Sequence, residues 1–293
     1  TGVQTCALPI SDNFNADWGR WNQFSLERSM AFDVDSLAST RPIEFEVKSP
    51  VDAEGMFDIL TYIKGGAVLR MLEQYLGPER FRDGVRHYLE THSYSSTETS
   101  DLWDALESTS GEPVRSTMDS WIWQPGYPVV SASIDGGELV LRQRRFSFAD
   151  SAADSIWMIP LSYRTTTGTS SLLLSEREQR FSIENDGPII INAGGHAFVR
   201  VEYDNELRSR ITRNVLPTLD VLERYTLIDD AVAAVTANRL PAADFLAMLN
   251  EFRDEDALSV WQSITAGLRL VSRIIGDVQQ RATFQQEIGR AHV

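Results

Sequence analysis

Apolar side chains recur with the period of an α-helix directly after Lys64. They form one stripe on the 3.6-residue period, at Ala67, Val68, Met71, Leu72, Tyr75 and Leu76. Gly77 is typical of the position after a helix, and Pro78 cannot continue one. The pattern therefore predicts a helix from Lys64 to Leu76, with Tyr62 at or just before its first turn.

Helical periods also extend to either side of this segment. Trp18, Trp21 and Phe24 are spaced three residues apart, which predicts a helix with an aromatic face. Later helices are predicted around residues 81–89, 99–106 and 118–122. The run at 124–128, Gln-Pro-Gly-Tyr-Pro, then ends all periodicity and predicts a domain boundary.

After residue 128 the apolar period changes from 3.6 to 2, the period of a β-strand. Short alternating runs follow one another up to residue 206, and Asp135-Gly136-Gly137 is a hairpin signal between the first two. This pattern predicts a small β-sandwich. From Leu207 onward helical stripes return, one of them opened by Pro241. We therefore expect a multidomain α+β protein with domains at residues 11–127, 128–206 and 207–287.

The charge of the chain narrows the classes of partner. A formal net charge of −15 speaks against nucleic acid and against anionic membrane surfaces. No apolar run approaches the ~20 residues that a membrane-spanning helix needs. We therefore expect no nucleic-acid partner and no membrane span, and the cytoplasm is the expected location.

The two ends of the sequence are predicted to be foreign to the protein. Back-translation of residues 1–10 and 288–293 is compatible with opposite strands of one oligonucleotide that resembles a DNA-sequencing adapter. We interpret both segments as adapter-derived and the remaining chain as an interior piece of a longer protein. Cys6 belongs to the first segment, so no disulfide, thiol nucleophile or cysteine zinc site is expected.

Five consecutive segments carry motifs in a characteristic order. They are Phe57-Asp58-x-x-x-Tyr62-x-Lys64-Gly65, Gly77-Pro78-Glu79-x-Phe81, Tyr88-Leu89-x-x-His92-x-Tyr94, Thr99-x-Asp101-Leu102-Trp103 and Met118-Asp119-x-Trp121-x-x-Gln124-x-Gly126-Tyr127-Pro128. In this order they resemble the zinc aminopeptidases of the aminopeptidase N type, which are gluzincin metallopeptidases. Residues 157–161 and 192–203 are similar to the β-sandwich of that family, and residues 223–231 to the opening of its C-terminal superhelix. The resemblance implies the α-helical C-terminal half of a thermolysin-like catalytic domain, a β-sandwich and the start of an α-helical superhelix.

The resemblance also implies a function, the removal of N-terminal residues from peptides. Tyr62 matches the residue that donates a hydrogen bond to the tetrahedral oxyanion, although its spacing alone favours a core tyrosine with a bonded hydroxyl. Phe57 matches a position whose ring lines the pocket for the first side chain of the substrate, and core packing is its alternative. A non-catalytic peptide- or protein-binding module on the same scaffold is the alternative for the whole protein.

Zinc is the cofactor that the resemblance implies, yet the chain lacks the expected ligand motif. A helix holds zinc through two histidines at i and i+4, as in His-Glu-x-x-His. His87 and His92 are five positions apart, so we expect both at the surface or locally hydrogen-bonded near a helix end. In the family the zinc motif precedes the tyrosine, which places it upstream of Ser11. We therefore expect this chain to bind no zinc and to be inactive alone.

Three remaining clusters are given ordinary structural interpretations. Asp229-Asp230 and Asp254-Glu255-Asp256 are predicted to be solvated acids near helix starts. Gly194-Gly195 is predicted to be a hairpin turn, because no strand–GxGxxG–helix context surrounds it.

Overall fold

The computed structural model describes residues 2–148, 154–183 and 187–291. The first helical part comprises α1 Gly2–Phe14, α2 Arg20–Asp35, α3 Pro50–Gly55, α4 Gly65–Leu76, α5 Pro78–Thr91, α6 Thr99–Ser110 and α7 Val114–Ile122. The strands are β1 Pro128–Asp135, β2 Glu138–Arg145, β3 Ile159–Thr165, β4 Gly168–Leu174, β5 Glu178–Ser182, β6 Ile190–Ile191 and β7 Arg200–Tyr203. The second helical part comprises α8 Asn205–Asn214, α9 Val221–Thr236, α10 Ala242–Leu249, α11 Leu258–Ile274 and α12 Val278–Ala291.

Helices α2 and α4 to α7 follow the predicted periods, with shifts at their ends. Helix α4 ends at Leu76 as predicted, where Gly77 takes a positive φ of 84°. The aromatic helix begins later than its spacing suggests, because Gly19 adopts a left-handed conformation. Trp18 therefore lies in a separate, exposed 3₁₀ turn, whereas Trp21 is buried on α2.

Helix α5 packs closely against α6 through Gly84. A Cβ atom at this position would lie 2.6 Å from Leu106 Cδ2 and 3.1 Å from Leu106 Cα. Leu89, an apolar residue of the helix predicted around residues 81–89, is exposed. A glycine, rather than a leucine, thus defines how closely the two helices approach.

Substitution Gly84→Ala is expected to lower the free energy of unfolding by about 1–3 kcal/mol, measured by urea denaturation. The added methyl group would push the backbone of α6 away, and this clash outweighs the usual advantage of alanine in a helix of up to about 1 kcal/mol. Gly55→Ala is the matched control, because a Cβ atom there meets nothing within 4 Å. A Gly84→Ala protein as stable as the parent would contradict the close packing of α5 on α6.

The strands form two small sheets, one in the order β5-β2-β1-β7 and one in the order β4-β3-β6. Strands β1 and β2 make the predicted hairpin, with Asp135 opposite Glu138. Its two loop residues, Gly136 and Gly137, have positive φ angles of 62° and 85°, which this tight turn requires. Strand β7 pairs with β1 in parallel, so the chain returns to the first sheet after visiting the second.

The mixture of helices with small sheets is confirmed, whereas the division into three domains stays a prediction. One hydrophobic cluster extends from Trp21 on α2 through both sheets to Ala233 on α9, so buried side chains are continuous across residue 127.

The adapter origin of residues 1–10 and 288–293 also stays a prediction, and residues 1 and 292–293 lie outside the described ranges. Among the described helices, none combines the length and the apolar character needed to cross a lipid bilayer.

Candidate active site

Tyr62 lies in a single π-helical turn, Leu60–Lys64, that leads directly into α4. The helical segment therefore begins about one turn earlier than its apolar stripe indicates. Asp58 caps the start of this turn, because its Oδ1 atom accepts the backbone N–H groups of Leu60 and Thr61, each at 3.0 Å. Turns of this kind are rare and occur frequently at functional sites.

Arg41 holds the capping carboxylate from outside the turn. Its Nη2 atom donates to Asp58 Oδ1 at 2.6 Å and to Thr61 Oγ1 at 2.9 Å. Its other terminal nitrogen donates to the carbonyl oxygen of Pro42 at 2.7 Å, and the guanidinium lies 4.9 Å from the centre of the Phe45 ring. The start of the turn is thus bound to the loop that precedes α3.

Lys64 anchors the end of the turn in the protein interior. Its Nζ atom lies 2.8 Å from Asp35 Oδ2, and both side chains are 0% exposed. Lys64 Nζ also donates to the carbonyl oxygen of Gly126 at 2.9 Å, and the backbone N–H of Gly126 donates to Asp35 Oδ1 at 3.0 Å. Burial lowers the pKa of Lys64 below its ordinary value, and the Asp35 carboxylate opposes that shift.

Tyr62 and Phe57 lie side by side at the surface of this anchored turn. Their ring centres are 6.2 Å apart and their planes are inclined at 35°. Phe57 is 75% exposed, so it is not a core residue. Tyr62 is partly buried, and its hydroxyl makes no hydrogen bond to another residue in the described part of the chain. The phenol is therefore positioned by its backbone while its O–H group is left available as a donor.

The described residues contain no group of three or more His, Cys, Asp or Glu side chains arranged to hold a metal ion. His87 is exposed on α5, and His92 follows the end of that helix with its ring 5.5 Å from that of Tyr88. Both histidines are thus at a helix end or surface, as predicted. The described residues do not fit a zinc site, and no chemical step through zinc is derived from them.

The acidic pair Asp229-Asp230 corrects a sequence prediction. Both residues lie in the middle of α9, and Asp230 is only 8% exposed. Its Oδ2 atom accepts the backbone N–H of Val201 at 2.9 Å, and its Oδ1 atom accepts Arg200 Nη1 at 3.1 Å. Arg200 also donates to Asp229. Burial raises the pKa of Asp230 to about 7. The pair joins α9 to β7 rather than facing solvent.

The side chain of Glu255 in the second acidic cluster is also buried, which corrects the prediction for that residue. Its side chain is 1% exposed, and it accepts Arg224 Nε at 2.6 Å and Arg224 Nη2 at 3.0 Å. Asp254 and Asp256 on either side are exposed, as predicted. No period in the sequence distinguishes Glu255 from its neighbours, because its partner lies 31 residues away.

Gly194-Gly195 forms a turn but not a hairpin, because the strands on either side belong to different sheets. The backbone N–H of Gly194 donates to Glu223 Oε1 at 2.9 Å. A Cβ atom on Gly195 would lie 3.0 Å from Leu222 Cγ, and Arg28 donates to the Gly195 carbonyl oxygen. The turn between β6 and β7 is therefore contacted by both α2 and α9.

Acidification is expected to destabilise the protein through His196, which follows this turn. Burial, together with the nearby guanidinium groups of Arg70 and Arg28, lowers the pKa of His196 to about 3. In the unfolded chain the imidazole titrates near pH 6.5, so the unfolded state binds more protons between about pH 6.5 and 3. Stability is therefore fully present above that window and falls as the pH decreases through it, by about 1.4 kcal/mol per pH unit.

Urea denaturation of the parent and of His196→Gln at pH 7, 6 and 5 measures this contribution. The variant cannot gain the imidazole proton, so it should lose less stability than the parent on acidification. Carboxylates elsewhere contribute equally to both proteins and cancel in the comparison. Identical pH profiles for the two proteins would show that His196 is not held neutral by its surroundings.

Two family models match the chain. The peptidase family M1 domain matches residues 4–121, which include Tyr62, and the ERAP1-like C-terminal domain matches residues 188–291. The two matches thus cover the first helical part and the second, on either side of most of the strands.

Individual proteins are similar over most of this chain. Tricorn protease-interacting factor F2 of Thermoplasma acidophilum is 38% identical over 251 residues, which are 85% of this chain and 31% of that protein. Aminopeptidase M1 of Arabidopsis thaliana is 33% identical over 290 residues, 92% of this chain and 33% of that protein. Leucyl aminopeptidase of Saccharolobus solfataricus is 33% identical over 246 residues, 83% of this chain and 31% of that protein. The chain spans about a third of the length of these relatives.

Proposed function

The chain belongs to peptidase family M1, and we propose that it forms part of a zinc-dependent aminopeptidase that removes N-terminal residues from peptides. The observation that carries this proposal is the anchored turn at Tyr62. The turn is capped by Asp58 at its start and held by Lys64 at its end, while the Tyr62 hydroxyl is left without a partner among the described residues. The M1 match covers this turn.

Tyr62 is proposed to stabilise the tetrahedral intermediate of peptide hydrolysis. A phenolic O–H group can donate a hydrogen bond to the oxyanion that develops on the former carbonyl oxygen. Such a donor accelerates the reaction because it binds the transition state more strongly than the substrate. The backbone contacts of the turn position the donor before the substrate arrives, so no reorganisation is needed during the reaction.

Phe57 is proposed to form part of the pocket for the first side chain of the substrate. Its ring is exposed and lies against the ring of Tyr62, so it can contact a bound peptide close to the scissile bond. Aromatic side chains of this kind provide large apolar contact areas in binding sites. The 75% exposure of Phe57 favours this role over the alternative of core packing.

Zinc is the cofactor proposed for the whole enzyme, and we propose that its ligands lie outside these 293 residues. Bound zinc would supply a polarised carbonyl and an activated water. The residues of this chain contribute the oxyanion donor and one wall of the substrate site. The cytoplasm is the proposed location.

A non-catalytic binding module on the same scaffold is the second proposal. The relative from T. acidophilum carries a name that states an interaction with Tricorn protease, which favours a protein partner for this fold. Under this proposal the exposed Phe57 would contact a partner instead of a substrate.

The chain alone is expected to hydrolyse no amino-acid p-nitroanilide, even when zinc is added, because its described residues contain no set of metal ligands. The release of p-nitroaniline and the zinc retained after dialysis are measured for this chain and for a longer protein that extends it upstream. The longer protein should retain one zinc ion and be active. If the longer protein retains zinc and binds peptide without hydrolysing it, the result contradicts the proposed enzyme and supports the binding module. Activity of the short chain that a chelator removes would contradict the proposed placement of the ligands.

A further inference from the structure

A buried ion pair holds the end of the turn that carries Tyr62, and the proposed chemistry does not use it. Lys64 and Asp35 are 0% exposed, and their charged atoms are 2.8 Å apart. We propose that Lys64 and Asp35 are positioning residues for Tyr62: their ion pair selects the helical register that directs the phenol toward the substrate. This inference rests on the proposed oxyanion role of Tyr62.

The spacing of the two residues connects their orientations. Side chains at positions i and i+2 of a helical turn point to opposite sides. Because Lys64 points into the interior, Tyr62 two residues earlier is directed outward, where it is partly exposed. A shift of one residue in the turn would rotate both side chains by about 100° and remove Lys64 from Asp35.

The π-helical form of the turn makes such a shift a real alternative. A π-helical turn bonds residue i to i+5, whereas an α-helix bonds i to i+4, so the two forms are neighbouring registers of the same backbone. In this protein the turn Leu60–Lys64 is π-helical and α4 continues as an α-helix from Gly65. The ion pair stabilises the first register, because only there does Lys64 contact Asp35.

Gly126 completes the anchor and connects it to a third segment. Its carbonyl oxygen accepts Lys64 Nζ at 2.9 Å, and its N–H group donates to Asp35 Oδ1 at 3.0 Å. Thr40 Oγ1 donates to the same Asp35 oxygen at 2.6 Å. The end of α2, the Tyr62 turn and the connection into β1 are therefore joined by directional bonds around one buried charge pair.

Because the hydrogen bonds around Lys64 and Asp35 are directional, they can fix the orientation of Tyr62 as well as stabilise the fold. Apolar contacts are non-directional, so an apolar replacement of the pair can restore the stability of a fold without restoring one orientation. The double variant Asp35→Leu/Lys64→Met tests this difference. It removes both charges together, which avoids leaving one charge buried without a partner.

The first experiment is performed on the 293-residue chain and does not depend on activity. The protein is labelled with 3-fluorotyrosine, and the ¹⁹F resonance of Tyr62 is assigned from its loss in Tyr62→Phe. In the parent we expect one sharp Tyr62 line. In Asp35→Leu/Lys64→Met we expect this line to broaden or split, while the line of Tyr163 on β3 stays unchanged. A Tyr62 line that is identical in both proteins overturns the proposal.

A matched control separates this effect from the loss of any buried carboxylate. Asp35→Asn and Glu255→Gln each neutralise a carboxylate whose side chain is at most 1% exposed and whose partners include a cation and at least one backbone N–H group. Only Asp35→Asn should change the Tyr62 resonance. An equal change in both variants would assign the effect to general destabilisation and contradict a positioning role.

The second experiment uses the zinc-loaded longer enzyme. Asp35→Leu/Lys64→Met should lower kcat between about 10- and 100-fold with KM nearly unchanged, since a small misplacement of a catalytic group has effects of that size. In a Tyr62→Phe background the same double substitution should lower kcat no further. An equal loss in both backgrounds contradicts action through Tyr62. If Tyr62→Phe alone has no effect on kcat, the proposed function fails, and the ¹⁹F result still decides whether the pair orients Tyr62.

Discussion

Replacement of Tyr62 by phenylalanine is expected to lower kcat of the proposed zinc-loaded enzyme by about 10²–10³-fold. The substitution removes one hydrogen-bond donor and keeps the ring, so the contact with Phe57 is retained. KM should change little, because the bond to the oxyanion forms in the transition state and not in the substrate complex. The measurement is steady-state hydrolysis of an amino-acid p-nitroanilide by the parent and the variant.

Tyr163→Phe is the matched control for this prediction. Tyr163 is also partly buried, but it lies on β3 in the smaller sheet. Removal of the Tyr163 hydroxyl in this variant should leave kcat and KM unchanged. If Tyr62→Phe keeps the turnover of the parent, Tyr62 is not the oxyanion donor.

Removal of the buried lysine is expected to have the largest effect on stability. Lys64→Met leaves the Asp35 carboxylate buried without its cation, and breaking such a pair from one side costs about 3–5 kcal/mol. The measurement is the free energy of unfolding in urea at pH 7. The double variant Asp35→Leu/Lys64→Met should recover a large part of that loss, because apolar side chains of similar volume avoid the cost of a desolvated charge.

The other lysine of the chain provides the control. Lys48 also forms an ion pair, with Glu46 at 2.9 Å, but both side chains are largely exposed. Exposed pairs contribute little because water and salt screen them. Lys48→Met should therefore keep the unfolding midpoint of the parent. Equal losses for the two lysine variants would show that Lys64 is not buried as the structure places it.

Local periodicity was sufficient to predict the elements around the site. The apolar stripe and the Gly77-Pro78 stop predicted the end of α4, and Asp135-Gly136-Gly137 predicted the hairpin of β1 and β2. These predictions succeed because a helix end and a tight turn depend on a few adjacent residues with special backbone preferences. The order of the motifs was likewise sufficient to identify the family.

The predictions for charged residues failed where the partner is distant in sequence. Asp230 was predicted to be solvated, yet it is paired with Arg200, which lies 30 residues away on β7. The sequence also did not indicate whether Phe57 is exposed or packed in the core, whereas the structure shows it exposed. A single sequence without a fold does not indicate which face of an element another segment covers, so burial of an individual charge or ring cannot be derived from its neighbours.

The sequence by itself determined most of the helices and strands, the membership of family M1 and Tyr62 as the candidate donor. Only the tertiary structure decided that Tyr62 lies in a π-helical turn, and that Lys64 is bound to Asp35 and Gly126 at the end of this turn. The physical reason is that the period of apolar residues depends only on the local geometry of one helix or strand. The orientation of the Tyr62 side chain depends instead on hydrogen bonds between segments that only folding brings together.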